Sequence, residues 1–353
     1  MHAYVLHGVD DLRYEQADMP ELKPGWVLVK VMAAGICGSD IPRIFETGTY
    51  HFPTIPGHEF SGVVEKIAEE DKGNCQTEAW LNKRVGVFPL IPCGKCAQCL
   101  AEQYEMCSDY DYLGSRRDGG FAEYAAVPVW NLIELPDTVD FAEAAMLEPM
   151  AVARHALRQI SLTETKSIVI YGIGTIGLLM AQWARIYGIN EILLVGNKEG
   201  QAELAKKLGF EKICNQKDQN AKAWIEQMTA GKMADAAIEG VGRDAVFAQC
   251  IESVRPKGTV ILVGNPHGDV QLEKTVYWKI LRKQLRVFGT WNSSFHTSKE
   301  DDWKAAVEML SEDRIDAMSL VTHNYPFEEL MEGLKVMRNK SEFYSKILVE
   351  NTY

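Results

Sequence analysis

No apolar run in the 353-residue sequence approaches the roughly 18 to 20 residues that a membrane-spanning helix requires. The opening residues, MHAYVLHGVDD, lack the basic and apolar regions of a secretory signal, so a cytoplasmic setting is the expectation. No basic run offsets the formal net charge of -12, which disfavours nucleic acid and anionic membrane as partners. An anionic small molecule would therefore need a local basic pocket. Internal repeats and low-complexity segments are also missing. What remains is 46% hydrophobic and 24% charged, the balance of a globular enzyme, and too long for one ordinary domain.

The first 150 residues are rich in Gly and Pro and carry short alternating apolar runs such as 26–31 and 60–67, which predict strands and a strand-rich, barrel-like domain. From Ser167 the pattern changes. An apolar strand at 167–171, a helix-spaced segment at 176–187 and an apolar strand at 191–195 form a βαβ unit. Helices near 201–208, 220–229 and 245–254 alternate with strands at 235–238 and 259–263, which predicts a doubly wound parallel sheet in an α/β chain. After Thr290 the chain offers only a helix at 303–310 and a strand at 346–349, too little for a domain, so this tail is expected to return to the first one. The expected division is 1–153 with 290–353, and 154–289. The polar stretch 71–80, with Gly73 and Asn74, predicts a surface loop.

Four of the eight cysteines, Cys93, Cys96, Cys99 and Cys107, crowd into fifteen residues. In a chain without an export signal such clustering points to metal, and four thiolates on a tight loop suit a closed tetrahedral zinc site that braces a lobe. An iron–sulfur cluster is the more distant alternative. A second site is suggested by Cys37, by His58 with Glu59, and by Glu148, because mixed sulfur, nitrogen and oxygen ligands with one open position suit a catalytic zinc. Each of these residues alone reads as ordinary core or surface; the combination favours metal. Two zinc ions per chain are thus expected. His51, His155, His267, His296 and His323 have no ligand-like company and receive no role, and Tyr50, Phe52 and Trp291 either line the pocket or, as the default expectation, pack in the core.

Gly172, Gly174 and Gly177, with Thr175 and Ile176 between them, follow a predicted strand and open a predicted helix. In that context the glycines allow a tight turn and close approach of backbone to a pyrophosphate. An Asp or Glu ending the second strand would hold the ribose 2′-hydroxyl of NAD, but the sequence there reads Val195-Gly196-Asn197-Lys198. Gly196 is expected to leave room for a 2′-phosphate, with Asn197 and Lys198 donating to it, so NADP(H) is favoured over NAD(H). The alternative is an ordinary turn in which Glu199 serves the ribose.

Together these residues resemble the zinc-containing medium-chain dehydrogenase/reductase superfamily from end to end. The stretches Cys37-Gly38-Ser39-Asp40-Ile41-Pro42-Arg43, Gly57-His58-Glu59 and Gly114-Ser115-Arg116-Arg117-Asp118 are most similar to its galactitol-phosphate dehydrogenases. The resemblance implies a GroES-like catalytic domain, a Rossmann domain and a homodimer or homotetramer. It implies that Cys37 and His58 bind the catalytic zinc, that Glu148 is the carboxylate of the polyol branch, that Glu59 binds or approaches the metal, and that Ser39 relays the alcohol proton. Pro42 stands where many relatives carry a relay histidine, so the proton must leave by another route, through water or through the ribose. Hydride transfer to or from the secondary alcohol of a polyol phosphate is the implied reaction, with Arg43, Arg116 and Arg117 as cations for the phosphate. Unphosphorylated polyols or small secondary alcohols are the alternative substrates, and a non-catalytic NADPH-binding protein is the alternative of another class.

Overall fold

A computed structural model describes residues 1–266 and 268–351, so His267 lies outside the described residues. The chain divides into two compact units. One comprises Met1–Glu148, Ser294–Asp313 and the chain from Leu320; the other comprises Pro149–Ser293 with Arg314–Ser319. Among the described residues no helix is long and apolar enough to cross a membrane.

The first unit is built on a seven-stranded sheet. Its strands run in the order Val321–Pro326, Lys346–Glu350, Trp26–Ile36, Glu59–Ile67, Arg84–Val87 and Leu132–Glu134, with Tyr124–Pro128 paired along Trp26–Ile36. Trp26–Ile36 is therefore central: it pairs antiparallel with Glu59–Ile67 on one side and with Lys346–Glu350 on the other. Val27, Val29, Val31, Val64, Val85, Val127, Ile347 and Val349 are buried together, the β-branched residues that pack best on a pleated surface. A strand that begins 310 residues past Ile36 thus pairs with the central strand, which is how the tail rejoins the first unit.

The second unit holds a six-stranded, wholly parallel sheet in the order Ile213–Asn215, Glu191–Gly196, Ser167–Tyr171, Ala234–Glu239, Val254–Leu262 and Arg286–Gly289. Chain order reverses at Ser167–Tyr171, the arrangement that places a dinucleotide crevice at the carboxyl ends of the strands beside the first turn. Ser167–Tyr171 is buried along nearly its whole length, as expected for a strand covered on both faces.

The segment 71–80 is not the plain loop that its polarity suggests. Asn74 accepts a hydrogen bond from the Gln76 N–H and caps the short helix Cys75–Glu78. The residue that favours a turn here also starts a helix.

Candidate functional site

The knuckle forms around Cys96, whose sulfur caps the helix Ala97–Leu100 by accepting the Cys99 N–H at 3.5 Å. The Cys93 N–H points to the Cys107 sulfur at 3.3 Å. Backbone donors of this kind favour thiolates, and N–H groups of Cys99 and Ser108 hold the Cys96 pKa down at about 5. All four sulfurs lie within 4.8 Å of one another, with Cys93–Cys99 and Cys96–Cys107 each at 3.9 Å. Those separations are too long for a disulfide, whereas a tetrahedron with Zn–S bonds of about 2.3 Å has edges of about 3.8 Å. The four residues fit a zinc ion.

A second convergence occurs where two strands of the first unit end and begin. Trp26–Ile36 delivers Cys37, and Glu59–Ile67 opens with Glu59 directly after His58. One donor atom from each of Cys37, His58 and Glu59 lies within 4.8 Å of the other two. Asp40, fully buried, holds the group in place: one carboxylate oxygen accepts the Cys37 N–H at 2.9 Å, and the other lies 3.4 Å from His58 Nδ1 and 3.2 Å from Arg43 Nη1. A carboxylate behind an imidazole is the arrangement that fixes metal-binding histidines. The Asp40–His58 contact is not aligned as a hydrogen bond, so His58 Nδ1 is a buried polar atom without such a partner.

Burial opposes charge on His58, yet Asp40 and then Cys37 outweigh it and hold the imidazole pKa well above its usual value. Glu148, in the first turn of the helix Leu147–Leu157, is pushed up to about 7, mainly by loss of solvent and next by the Glu59 carboxylate. Its carboxylate is not among the three converging donors. Cys37, His58 and Glu59 thus bring sulfur, nitrogen and carboxylate oxygen together in one poorly solvated region, with Asp40 behind them and Glu148 beside them. The donor set fits zinc. Glu59 is also paired with the buried ammonium of Lys346. The sequence reading missed Asp40 and Lys346. Asp40 stands within a quoted motif, three residues past the cysteine, but Lys346 lies in a different segment altogether.

Ser39 is exposed and its hydroxyl does not cap the helix that follows. The three arginines separate. Arg43 is committed to Asp40. The Arg116 guanidinium lies over the rings of Tyr50 and Tyr110, at 4.0 and 4.6 Å from their centroids. Tyr110 in turn contacts Tyr112, whose ring is 5.8 Å from that of His58. Arg117 pairs with Asp111 and faces a different cavity of about 450 Å³ lined by Trp26, Pro53 and Ile55. It does not join the other two. Core packing is also the wrong description of Tyr50, Phe52 and Trp291, which are exposed.

In the second unit, Gly172 turns the chain with φ +90°, where a Cβ would meet Val241 Cγ2 at 2.8 Å. A Cβ on Gly177 would collide with the Gly172 carbonyl oxygen, so the helix Thr175–Ile186 packs closely on its strand only with glycine there. Gly174 differs: its φ is -78° and its nearest neighbour is the Gln201 amide at 3.7 Å. Among the described residues nothing crowds that position, so a Cβ there would be tolerated by the protein itself. Gly196 is small for a reason the sequence concealed. A Cβ there would meet Ile173 Cγ1 at 2.5 Å, so the space is filled by the loop's own isoleucine instead of lying open. Asn197 and Lys198 are exposed just beyond, and Gln201 lies near both Gly174 and Gly196.

Residues 23–137 match the family of alcohol dehydrogenase GroES-like domains, and residues 175–312 match the zinc-binding dehydrogenases. Galactitol 1-phosphate 5-dehydrogenase of Escherichia coli K12 is 32% identical over 330 residues, covering 93% of this chain and 94% of the relative. The crystal structure of the Escherichia coli galactitol-1-phosphate dehydrogenase superposes with a TM-score of 0.89 at 31% identity, over 99% of this chain and all of the other. Sorbitol dehydrogenase of Bacillus subtilis is 28% identical over 99% of this chain and 98% of its own. A zinc-binding dehydrogenase of Sinorhizobium meliloti 1021, solved with NADP bound, gives a TM-score of 0.87 at 27% identity over 99% and 98% of the two chains.

Proposed function

The chain belongs to the zinc-dependent alcohol and polyol dehydrogenases, and from that premise we propose that it moves hydride between NADP(H) and the secondary alcohol or ketone of a phosphorylated polyol of the galactitol 1-phosphate kind. The observation that carries the catalytic part is the convergence of Cys37, His58 and Glu59 within 4.8 Å. Zinc held by these residues supplies a Lewis acid that makes a hydroxyl more acidic and polarises a carbonyl, and the nicotinamide supplies or accepts the hydride.

The protein's own residues do the rest. Asp40 orients His58 from behind and restrains the Cys37 backbone. Ser39 takes the proton of the substrate hydroxyl, and Pro42, which has no proton to carry, passes it no further; it leaves to solvent from the exposed Ser39. Glu148 is the further carboxylate beside the site. Gly172, Gly174 and Gly177, with the N–H groups of Thr175 and Ile176, receive the pyrophosphate, and Asn197 and Lys198 receive the 2′-phosphate. The NADP preference rests on the missing carboxylate at the strand end and on Lys198, no longer on open space at Gly196. Arg116, braced between two tyrosines, is the better cation for the substrate phosphate.

One observation favours unphosphorylated polyols as the second reading: Arg43 is already engaged by Asp40. Turnover of galactitol 1-phosphate and galactitol, each with NADP+ and NAD+, separates the readings. The proposal expects higher kcat/KM for the phosphate and for NADP+; equal values for the two polyols would remove the phosphate, and preference for NAD+ would remove the cofactor assignment. A non-catalytic binding protein would turn over neither.

A homodimer or homotetramer is also proposed. Arg286–Gly289 is an edge strand of the parallel sheet, and Phe288 on it, with Tyr277, Trp278 and Leu281 on the helix Lys274–Lys283, is exposed. Unpaired edge and exposed aromatics together mark a surface for a second copy. A monomer in light scattering would overturn it.

A further inference from the structure

Three adjacent strands bring a buried ammonium to a metal-site carboxylate through a gap in the sheet. Glu59 opens Glu59–Ile67 and stands opposite Gly35 of the central strand Trp26–Ile36. On the other side of that strand, Gly35 stands opposite Leu348 of Lys346–Glu350, two residues past Lys346. A Cβ at Gly35 would overlap Glu59 Oε2 and meet Lys346 Cε and Nζ at 2.9 and 3.0 Å. The glycine thus leaves a slot across which Lys346, from the strand on one flank, reaches Glu59 on the other. Both side chains are almost wholly buried, at 4% and 2% exposure. The ammonium donates to Glu59 Oε2 and, at 3.2 Å, to the Ile36 carbonyl, directly before Cys37.

Stability does not account for this pair. Desolvating two ions roughly offsets their attraction, and an apolar pair of similar volume would serve a sheet core as well. Position does account for it. A carboxylate between an ammonium and a metal is shared by both cations, and the ammonium determines how much of it the metal receives. We propose that Lys346 is a positioning residue of the metal centre, holding Glu59 by Oε2 across Gly35 and so limiting the share of Glu59 available to a metal beside Cys37 and His58. The inference rests on the reading of Cys37, His58 and Glu59 as metal ligands. It gives the buried lysine a function: keeping Glu59 from closing the position that the substrate needs.

The test is cobalt substitution of the full-length protein, read by the visible absorption of the bound ion and by the rate at which a chelator removes it. Lys346→Met frees Glu59, so the cobalt spectrum should move towards higher coordination with weaker absorption, and metal loss should slow by about ten-fold, the scale on which outer partners tune metal sites. Lys346→Arg should restore the original spectrum and rate. Lys346→Leu, which likewise removes the ammonium and leaves Glu59 unheld, should reproduce the Lys346→Met spectrum and covers the case in which Lys346→Met fails to fold. An unchanged spectrum and release rate in a folded variant would overturn the proposal, as would faster metal loss. Failure of the underlying reading looks different: Cys37→Ala would then bind as much cobalt as the unmodified protein.

Discussion

At the scale of single residues, the chemistry-bearing side chains of the sequence motifs are the legible ones, and those that support them are not. Cys37, His58 and Glu59 meet because two strands end together, and two short motifs announce them. Asp40 and Lys346 hold them, but an Asp opening a short helix and a Lys opening a strand have no signature until burial is known. Gly196 shows the opposite failure. Its identity was legible and its reason was not, because the atom that excludes a side chain belongs to Ile173 in another segment. From this follows a direct expectation. Gly196→Asp alone should lower stability and fail to produce efficient use of NAD+, since the new side chain meets Ile173; with Ile173→Ala the variant should accept it. Thermal melts and kcat/KM for both cofactors check this, and a stable, NAD-preferring single variant would show that Ile173 yields freely.

At the scale of elements, the centre of the parallel sheet was readable because Ser167–Tyr171, Glu191–Gly196 and Ala234–Glu239 carry apolar runs flanked by helical spacing, whereas the short edge strands Ile213–Asn215 and Arg286–Gly289 carry too few apolar residues to announce themselves. The boundaries of Thr175–Ile186 and Asp244–Ser253 moved by one residue, while the strand expected at 259–263 begins at Val254. The first unit was less readable, since its sheet joins strands remote in sequence and its central pairing of Trp26–Ile36 with Lys346–Glu350 leaves no local trace. Elements are also tied by single polar residues. Asp235, at 16% side-chain exposure, accepts the N–H groups of Lys166 and Ser167 at 2.8 and 2.9 Å and the Arg255 Nε–H at 2.5 Å, joining the start of Ser167–Tyr171 to Ala234–Glu239.

Burial raises the Asp235 pKa, but Arg255 and those N–H groups more than compensate, so it stands below the usual carboxylate value. A depressed folded pKa contributes stability above the unfolded pKa and loses it as pH falls through the folded one. Asp235→Ala should therefore lower unfolding free energy by about 1 to 2 kcal/mol near neutrality, the scale of losing charge-assisted hydrogen bonds to partly exposed donors. Urea titrations across pH should show the gap between variant and unmodified protein closing on acidification. A gap that widened instead would contradict the assigned sign.

At the scale of the whole molecule, the two units divide the work: the first carries both cysteine-based sites and the second carries the glycine loop. With acidic residues in excess, the proposed anionic ligands would depend on local cations, and Lys198 and Arg116 are the ones proposed for them. The knuckle identifies the family but takes no part in the proposed reaction. The central claim is that a second zinc, held by Cys37 and His58, is the one that matters for turnover. Zinc per chain, measured by elemental analysis alongside activity in the unmodified protein and in Cys37→Ala, tests it most directly. The account expects two zinc ions and turnover in the first, and one zinc ion without turnover in the variant; two ions with full turnover in Cys37→Ala would contradict it.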